Sequence, residues 1–276
     1  MPGTSSGGSS GAYPLHCSHG CGHAPPRSAR AWKRRAEADY ERRKGAWVVY
    51  EPAAGSCAGL LWRHLHDAFG YRKPRHAALV RWAEKTDAAR YDTVEEAIES
   101  TAPALRINAS LAAGEREGYG EFLVRALRRH DLDEVAELPE VRTRFDEFQQ
   151  RLRAGLHRFE QGVHLEEDGI VVFDVAEGDA IISRYAPYLY FRDARHSVGI
   201  VRRDSGSVKI TAMRNPWRDF ESVHLGKIFE PYGGGGHQRV AAVVLRDEEA
   251  ARAEEILAAI LTDVRSEEIG EIRRTA

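Results

Sequence analysis

The chain has 276 residues, 42% hydrophobic and 30% charged, enough apolar sequence for one large or two modest cores. Its formal charge of −2 excludes an overall basic field for capturing polyanions, so any such site must be local. Cys17, Cys21 and Cys57 are too few for a disulfide framework, no run nears the about 20 apolar residues of a membrane span, and the N-terminus lacks an apolar signal core; a cytoplasmic protein is expected.

The Gly/Ser/Pro-rich residues 1–30 show no periodicity and are expected to be disordered. Helical sequence begins at 31, and an apolar run at 46–50 reads as a strand buried on both faces. Next comes SCAGLLWRHLHDAF, which has helical spacing, with Ala58, Leu61, Leu65 and Phe69 on one face and Ser56 as N-cap. Helices are expected at 76–86, 93–100 and 121–129. Between 139 and 163, Val141, Phe145, Phe148, Leu152, Leu156, Phe159 and Val163 recur every three or four residues, the mark of one long amphipathic connecting helix. Strands are then expected at 169–174, 197–202, 207–213 and 240–245, with helices at 223–230 and 248–262. The reading is α/β, with domains at 31–135 and 166–265, the connecting helix over 136–165 and a tail at 266–276.

The segment FEPYGGGGHQRVAAVVL, 229–245, carries the chemistry. Consecutive glycines accept positive φ and let backbone N–H groups approach an anion, and a histidine adds a donor for a phosphate. On the glycines alone a structural turn is the simpler account. The flanks alter the balance. KIFEPYGGGGH, followed by Ala241, Ala242 and an apolar strand, resembles the signature of the DHHA1 domain, the C-terminal substrate-binding domain of the DHH phosphoesterases. The resemblance covers about 166–261. It departs from the usual pattern at Val240, where a small residue is usual, and at Ala242, where a glycine is usual. It implies that Arg214, Gly233, Gly234, Gly235, Gly236 and His237 grip a phosphate or nucleotide end, with His237 also catalytic. Arginine's planar fork suits phosphate. Lys209 and Arg239 could add charge near the same cleft, although solvated surface cations are the better account of both, and Tyr232, Trp217 and Phe220 fit a core as well as a base-stacking platform.

The same family carries an N-terminal DHH domain, a parallel-sheet α/β unit whose carboxylates and histidines hold two metal ions, usually manganese. WVVYEPAAGSCAG at 47–59 looks like the family segment downstream of its Asp-His-His triplet. LVRWAEKTD at 79–87 resembles the segment that supplies a late metal ligand, so Asp87 is expected to be a catalytic metal ligand. No Asp-His-His string occurs, AWKRR at 31–35 fills its place, and no Asp-x-Asp precedes it. A first domain cut short is therefore expected, marginally stable over 31–135, from a truncated chain or a start assigned too far downstream. The cluster HCSHGCGH at 16–23 reads as a tail with adventitious metal affinity, because all its ligands crowd into one segment.

The resemblance implies a Mn2+-dependent phosphoesterase acting on phosphodiester or phosphomonoester bonds of nucleotides or short single-stranded oligonucleotides, inactive in this truncated form. The alternative is a non-catalytic module that binds nucleotide or nucleic-acid ends. No membrane partner is expected, while self-association through an uncovered sheet edge is.

Overall fold

The structure is a computed structural model that describes residues 38, 40–43, 51, 54–114 and 116–275. The expected strand at 46–50, with the parallel sheet around it, and the 16–23 cluster lie outside the described residues. Residues 40–43 are helical, as expected.

Helix α1 (Cys57–Phe69) starts where Ser56 Oγ accepts the Gly59 N–H at 2.9 Å and ends at Gly70 with φ 63°. Helix α2 (Pro74–Asp87) packs closely on it, since a Cβ at Gly59 would fall on the Glu84 side chain. The pair is thinly buried: α1 buries only Gly59 and α2 nothing, while Leu61 and Phe69 of the apolar face stay 43% and 63% exposed. Thr93 caps the short α3 (Val94–Glu99) by accepting the Glu96 N–H at 3.1 Å.

The following helices α4 (Pro103–Ala112), α5 (Tyr119–Arg129) and α6 (Leu132–Ala136) build a core of their own with α7 (Pro139–Gln161). Ile107, Tyr119, Leu123, Val135 and Val141 form it. Residues 103–135, assigned from sequence to the first domain, thus pack on the long helix. Arg144 of α7, 5% exposed, donates to Ser110 O at 2.9 Å and to Gly114 O, and its guanidinium lies 4.4 Å from the Tyr119 ring centroid. A buried guanidinium is tolerated only with such partners.

After α7 the chain enters a six-stranded sheet of order β1-β2-β3-β4-β6-β5, from β1 (Val163–Leu165), β2 (Ile170–Ala176), β3 (His196–Arg202), β4 (Val208–Arg214), β5 (Gly235–Gly236) and β6 (Val240–Leu245). Only β2 and β3 pair in parallel. The crossover between them carries α8 (Ala186–Tyr190). Alternation sorts the side chains. Ile170, Val198, Ile200, Ile210, Ala212 and Val243 face α9 (Leu225–Phe229) and α11 (Ala253–Thr275), which α10 (Asp247–Ala250) precedes. Val171, Phe173, Val175, Val201 and Met213 face α7, α8 and the segment 89–98.

No helix among the described residues is long and apolar enough to cross a membrane. The long amphipathic helix ends at Gln161 rather than 163, because Gly162 packs on the Asp174 carbonyl and Val163 starts β1. The closing helix splits at 251–252 and continues to Thr275.

Candidate functional site

The glycine segment lies between two elements that hold it closely. Helix α9 is followed by a 3-10 turn (Glu230–Tyr232), which Gly233 closes at φ 77°. The Gly233 and Gly234 N–H groups donate to Glu230 O at 3.1 Å and Phe229 O at 3.0 Å. Gly235 and Gly236 then pair with Ala242 and Ala241 as the short edge strand β5. The His237 N–H donates to Val240 O at 2.8 Å, so 237–240 is the tight turn of a hairpin. Space explains the glycines as much as conformation does. A Cβ on Gly234 would lie 2.7 Å from Ala242 O, one on Gly236 would overlap Val240 O, and one on Gly226 of α9 would lie 2.6 Å from Gly236 O. The run therefore brings helix and hairpin backbones into contact, and the Leu225 and Gly226 N–H groups donate to Gln238 O and His237 O at 3.1 and 3.0 Å. The Gly233 and Gly234 amides, expected to face an anion, are thus engaged within the chain, and Gly235 and Gly236 belong to the sheet ladder.

The product of this packing is an exposed turn, His237-Gln238-Arg239, fixed beside the end of β4. The Arg214 N–H donates to Arg239 O at 2.8 Å. Arg214 is 6% exposed; its Nη1 donates to Asn215 O at 3.0 Å and Nη2 to Phe220 O at 2.7 Å, with the guanidinium 4.2 Å from the Phe220 ring centroid. Burial, then the charge of Arg239, lowers its pKa, with Asp219 opposing. Arginine keeps its charge even so. Arg214 therefore braces the 215–220 loop and supplies positive potential from within, while Arg239 and His237 are the side chains open to solvent. Phe220 serves as this brace, Trp217 is core, and Tyr232 donates to Asp263 Oδ2 at 2.7 Å.

Asp87 ends α2 on an exposed face. The chain after it docks on the sheet: Ala89 and Tyr91 pack in the cluster that holds Met213 and Val240, and Trp217 Nε1 donates to Tyr91 O at 3.0 Å. Asp87 itself has no hydrogen bond or ion pair to Arg214 or His237 among the described residues. No group of three or more His, Cys, Asp or Glu side chains able to hold a metal gathers among the described residues. Asp87 alone does not make a manganese site.

Sequence reading missed Asn215. It is 1% exposed, donates to Arg192 O and Ala194 O at 3.0 and 2.8 Å and accepts the Trp217 N–H, so it fixes the loop that carries Phe220. Its position directly after the strand-end arginine was the available signal.

No protein-family model matches the chain, and no curated protein matches it. Among solved structures, it is similar to the pGpG-specific phosphodiesterase PggH from Vibrio cholerae, at 18% identity over 77% of this chain and 75% of that one, with a TM-score of 0.60. The chain shares the overall fold of that protein. At the level of the fold, this bears out the DHH/DHHA1 resemblance drawn from the glycine-histidine segment. An exopolyphosphatase-related protein from Bacteroides fragilis also matches, at 16% identity over 78% of this chain and 58% of that one; its TM-score of 0.46 is too low to support an argument.

Proposed function

We propose that this chain holds the terminal phosphate of a nucleotide or short oligonucleotide at the His237-Gln238-Arg239 turn. The observation that carries the reading is the bond between Arg214 N–H and Arg239 O, which fixes the exposed turn bearing His237 and Arg239 beside the strand end of the buried Arg214. Charge from two arginines and a histidine donor suit a terminal phosphate, which carries more charge than an internal one. The similarity to a protein that acts on pGpG supports a nucleotide ligand. Hydrolysis would need manganese, with Asp87 as one ligand and others from outside the described residues; without them the chain is a module that binds phosphorylated ends.

The test has two arms. Isothermal titration with 5′-GMP and pGpG should show binding that Arg239→Ala and His237→Ala each weaken about tenfold or more, the worth of one charge-assisted contact. Binding unchanged in both variants would remove the turn from the site. Turnover of pGpG with Mn2+, abolished in Asp87→Ala, would select the enzyme; binding without turnover would select the module.

A further inference from the structure

The chain is close to neutral overall, but its cations are unevenly placed. Helix α1 ends at Phe69, and FGYRKPRH at 69–76 leads from it into α2. Arg72 and Lys73 are exposed on this connection. Arg75, on the first turn of α2, reaches across 53 residues of sequence and donates from Nη2 to Arg128 O at 2.7 Å. That bond brings the last turn of α5, where Arg128 and Arg129 are both exposed, against the connection. Cations from two distant stretches of sequence meet at one place.

Helix-end electrostatics accounts for part of this. Arg128 and Arg129 complement the negative end of α5, and Arg75 satisfies one of its carbonyls. By the same rule Arg72 and Lys73 are out of place. They stand at the positive end of α2, which has no acidic residue in its first turn and no side-chain cap. Among the described residues, none of Arg72, Lys73, Arg128 and Arg129 makes an ion pair. The acids nearest in sequence have other partners. Asp67 lies 2.9 Å from His66, and Glu134 accepts the Asp131 N–H at 2.9 Å. Asp131 and Asp133 stand at the start of α6, where a helix dipole favours carboxylates.

Aromatic rings share the connection. Phe69 is 63% exposed, touching only the edge of His64 at 6.0 Å between ring centroids. Tyr71 is half-buried and held in place, with Trp62 edge-on at 5.8 Å and its hydroxyl 2.6 Å from His76 Nδ1. Lys73 Nζ lies 5.9 Å from the Tyr71 ring centroid. Interleaved cations and rings match a single strand of nucleic acid, whose phosphates take charge and whose unstacked bases take a ring face. A ring already fixed by its neighbours gives up little freedom when a base settles on it.

We propose that the 69–76 connection and the last turn of α5 form a docking surface for single-stranded nucleic acid. Arg72, Lys73, Arg128 and Arg129 hold its phosphates and Phe69 lies under a base. Charge and ring faces accept any base, so the surface is tolerant of sequence. It requires no terminal phosphate and stands apart from the function proposed above.

Fluorescence anisotropy with a labelled oligothymidylate of about twelve nucleotides, lacking terminal phosphates, tests the surface over a range of salt. Four phosphate contacts should make log K fall against log salt with a slope of about −3. Lys73→Gln and Arg128→Gln should each weaken binding severalfold and reduce the slope by about 0.7. Phe69→Ala should weaken it about tenfold and leave the slope unchanged. All three side chains are exposed, so the fold is not at stake. GMP affinity should stay native in all three variants, which keeps this result separate from the terminal-phosphate site. Affinity and slope unchanged in both Lys73→Gln and Arg128→Gln overturn the surface, whatever GMP does. So does a loss of oligothymidylate binding that appears in Arg239→Ala instead. Binding to anionic phosphatidylserine vesicles without binding to oligothymidylate overturns it in favour of a membrane contact.

Discussion

The indole N–H of Trp217 donates to the Tyr91 carbonyl at 3.0 Å across 126 residues of sequence. This bond, with the edge-on contacts of Tyr185 to both rings at 5.6 and 5.8 Å, joins the helical half to the sheet beside the hairpin. It ties down the chain four residues after Asp87, where the helix pair meets the sheet.

Tyr91 also gives the joint a pH dependence. Burial, then the neighbouring Tyr185, pushes its pKa up to about 12. The folded state therefore prefers the neutral phenol, so this contribution to stability is complete below the ordinary tyrosine pKa of about 10 and fades as pH rises from there to about 12. Tyr91→Phe should be nearly neutral at pH 7 and should flatten the alkaline fall of the urea midpoint. An alkaline fall equal in both proteins would locate the effect elsewhere.

Gly226→Ala should separate helix α9 from the hairpin. The new methyl group would lie 2.6 Å from Gly236 O, and backbone cannot swing aside as a side chain does. We expect a loss of about 1–3 kcal/mol in stability, together with weaker GMP binding from a displaced turn, measured by urea denaturation and titration. Native affinity in a destabilised variant would show that the glycines serve packing only.

Gly155→Ala tests the docking of α7 on the crossover. A Cβ there would overlap the Ile181 carbonyl, whose own N–H donates to Arg151 O at 3.0 Å. The helix propensity gained by alanine, about 1 kcal/mol, should be outweighed and the unfolding midpoint lowered. A raised midpoint would mean that the crossover yields freely.

Stability should be uneven within the helical half. Helices α1 and α2 bury one residue between them, whereas α4 to α7 enclose a core locked by Arg144. Amide exchange should be fast in 57–87 and slow in 103–160. Arg144→Met, which leaves the Ser110 and Gly114 carbonyls without their donor, should accelerate exchange in 103–136 and cost about 1–3 kcal/mol. Uniform protection across both segments would contradict the unequal burial.

Much of this was legible because it is periodic or punctuated. The long helix showed its three-and-four spacing, Ser56 its cap, and the strands 197–202 and 240–245 their apolar runs. The hidden elements are short ones whose reasons are tertiary. β5 is two glycines, which no propensity scale assigns to a strand. α8 is five residues that start at a Tyr-Ala-Pro sequence, held because Tyr188 is enclosed and donates to Ser197 Oγ at 3.1 Å. The site divided along the same line. The glycine-histidine segment and Arg214 stood out, but the burial that turns Arg214 into a brace comes from residues far away in sequence.

The short outer strands have a consequence for assembly. One edge of the sheet is the three residues of β1, the other the two glycines of β5. A neighbouring chain that sought to extend the sheet would find at either side a ladder of only two or three rungs, too brief to hold a strand against thermal motion. The glycines that shape the turn also end the sheet, and by keeping that border short they guard the fold against templated stacking of its own copies.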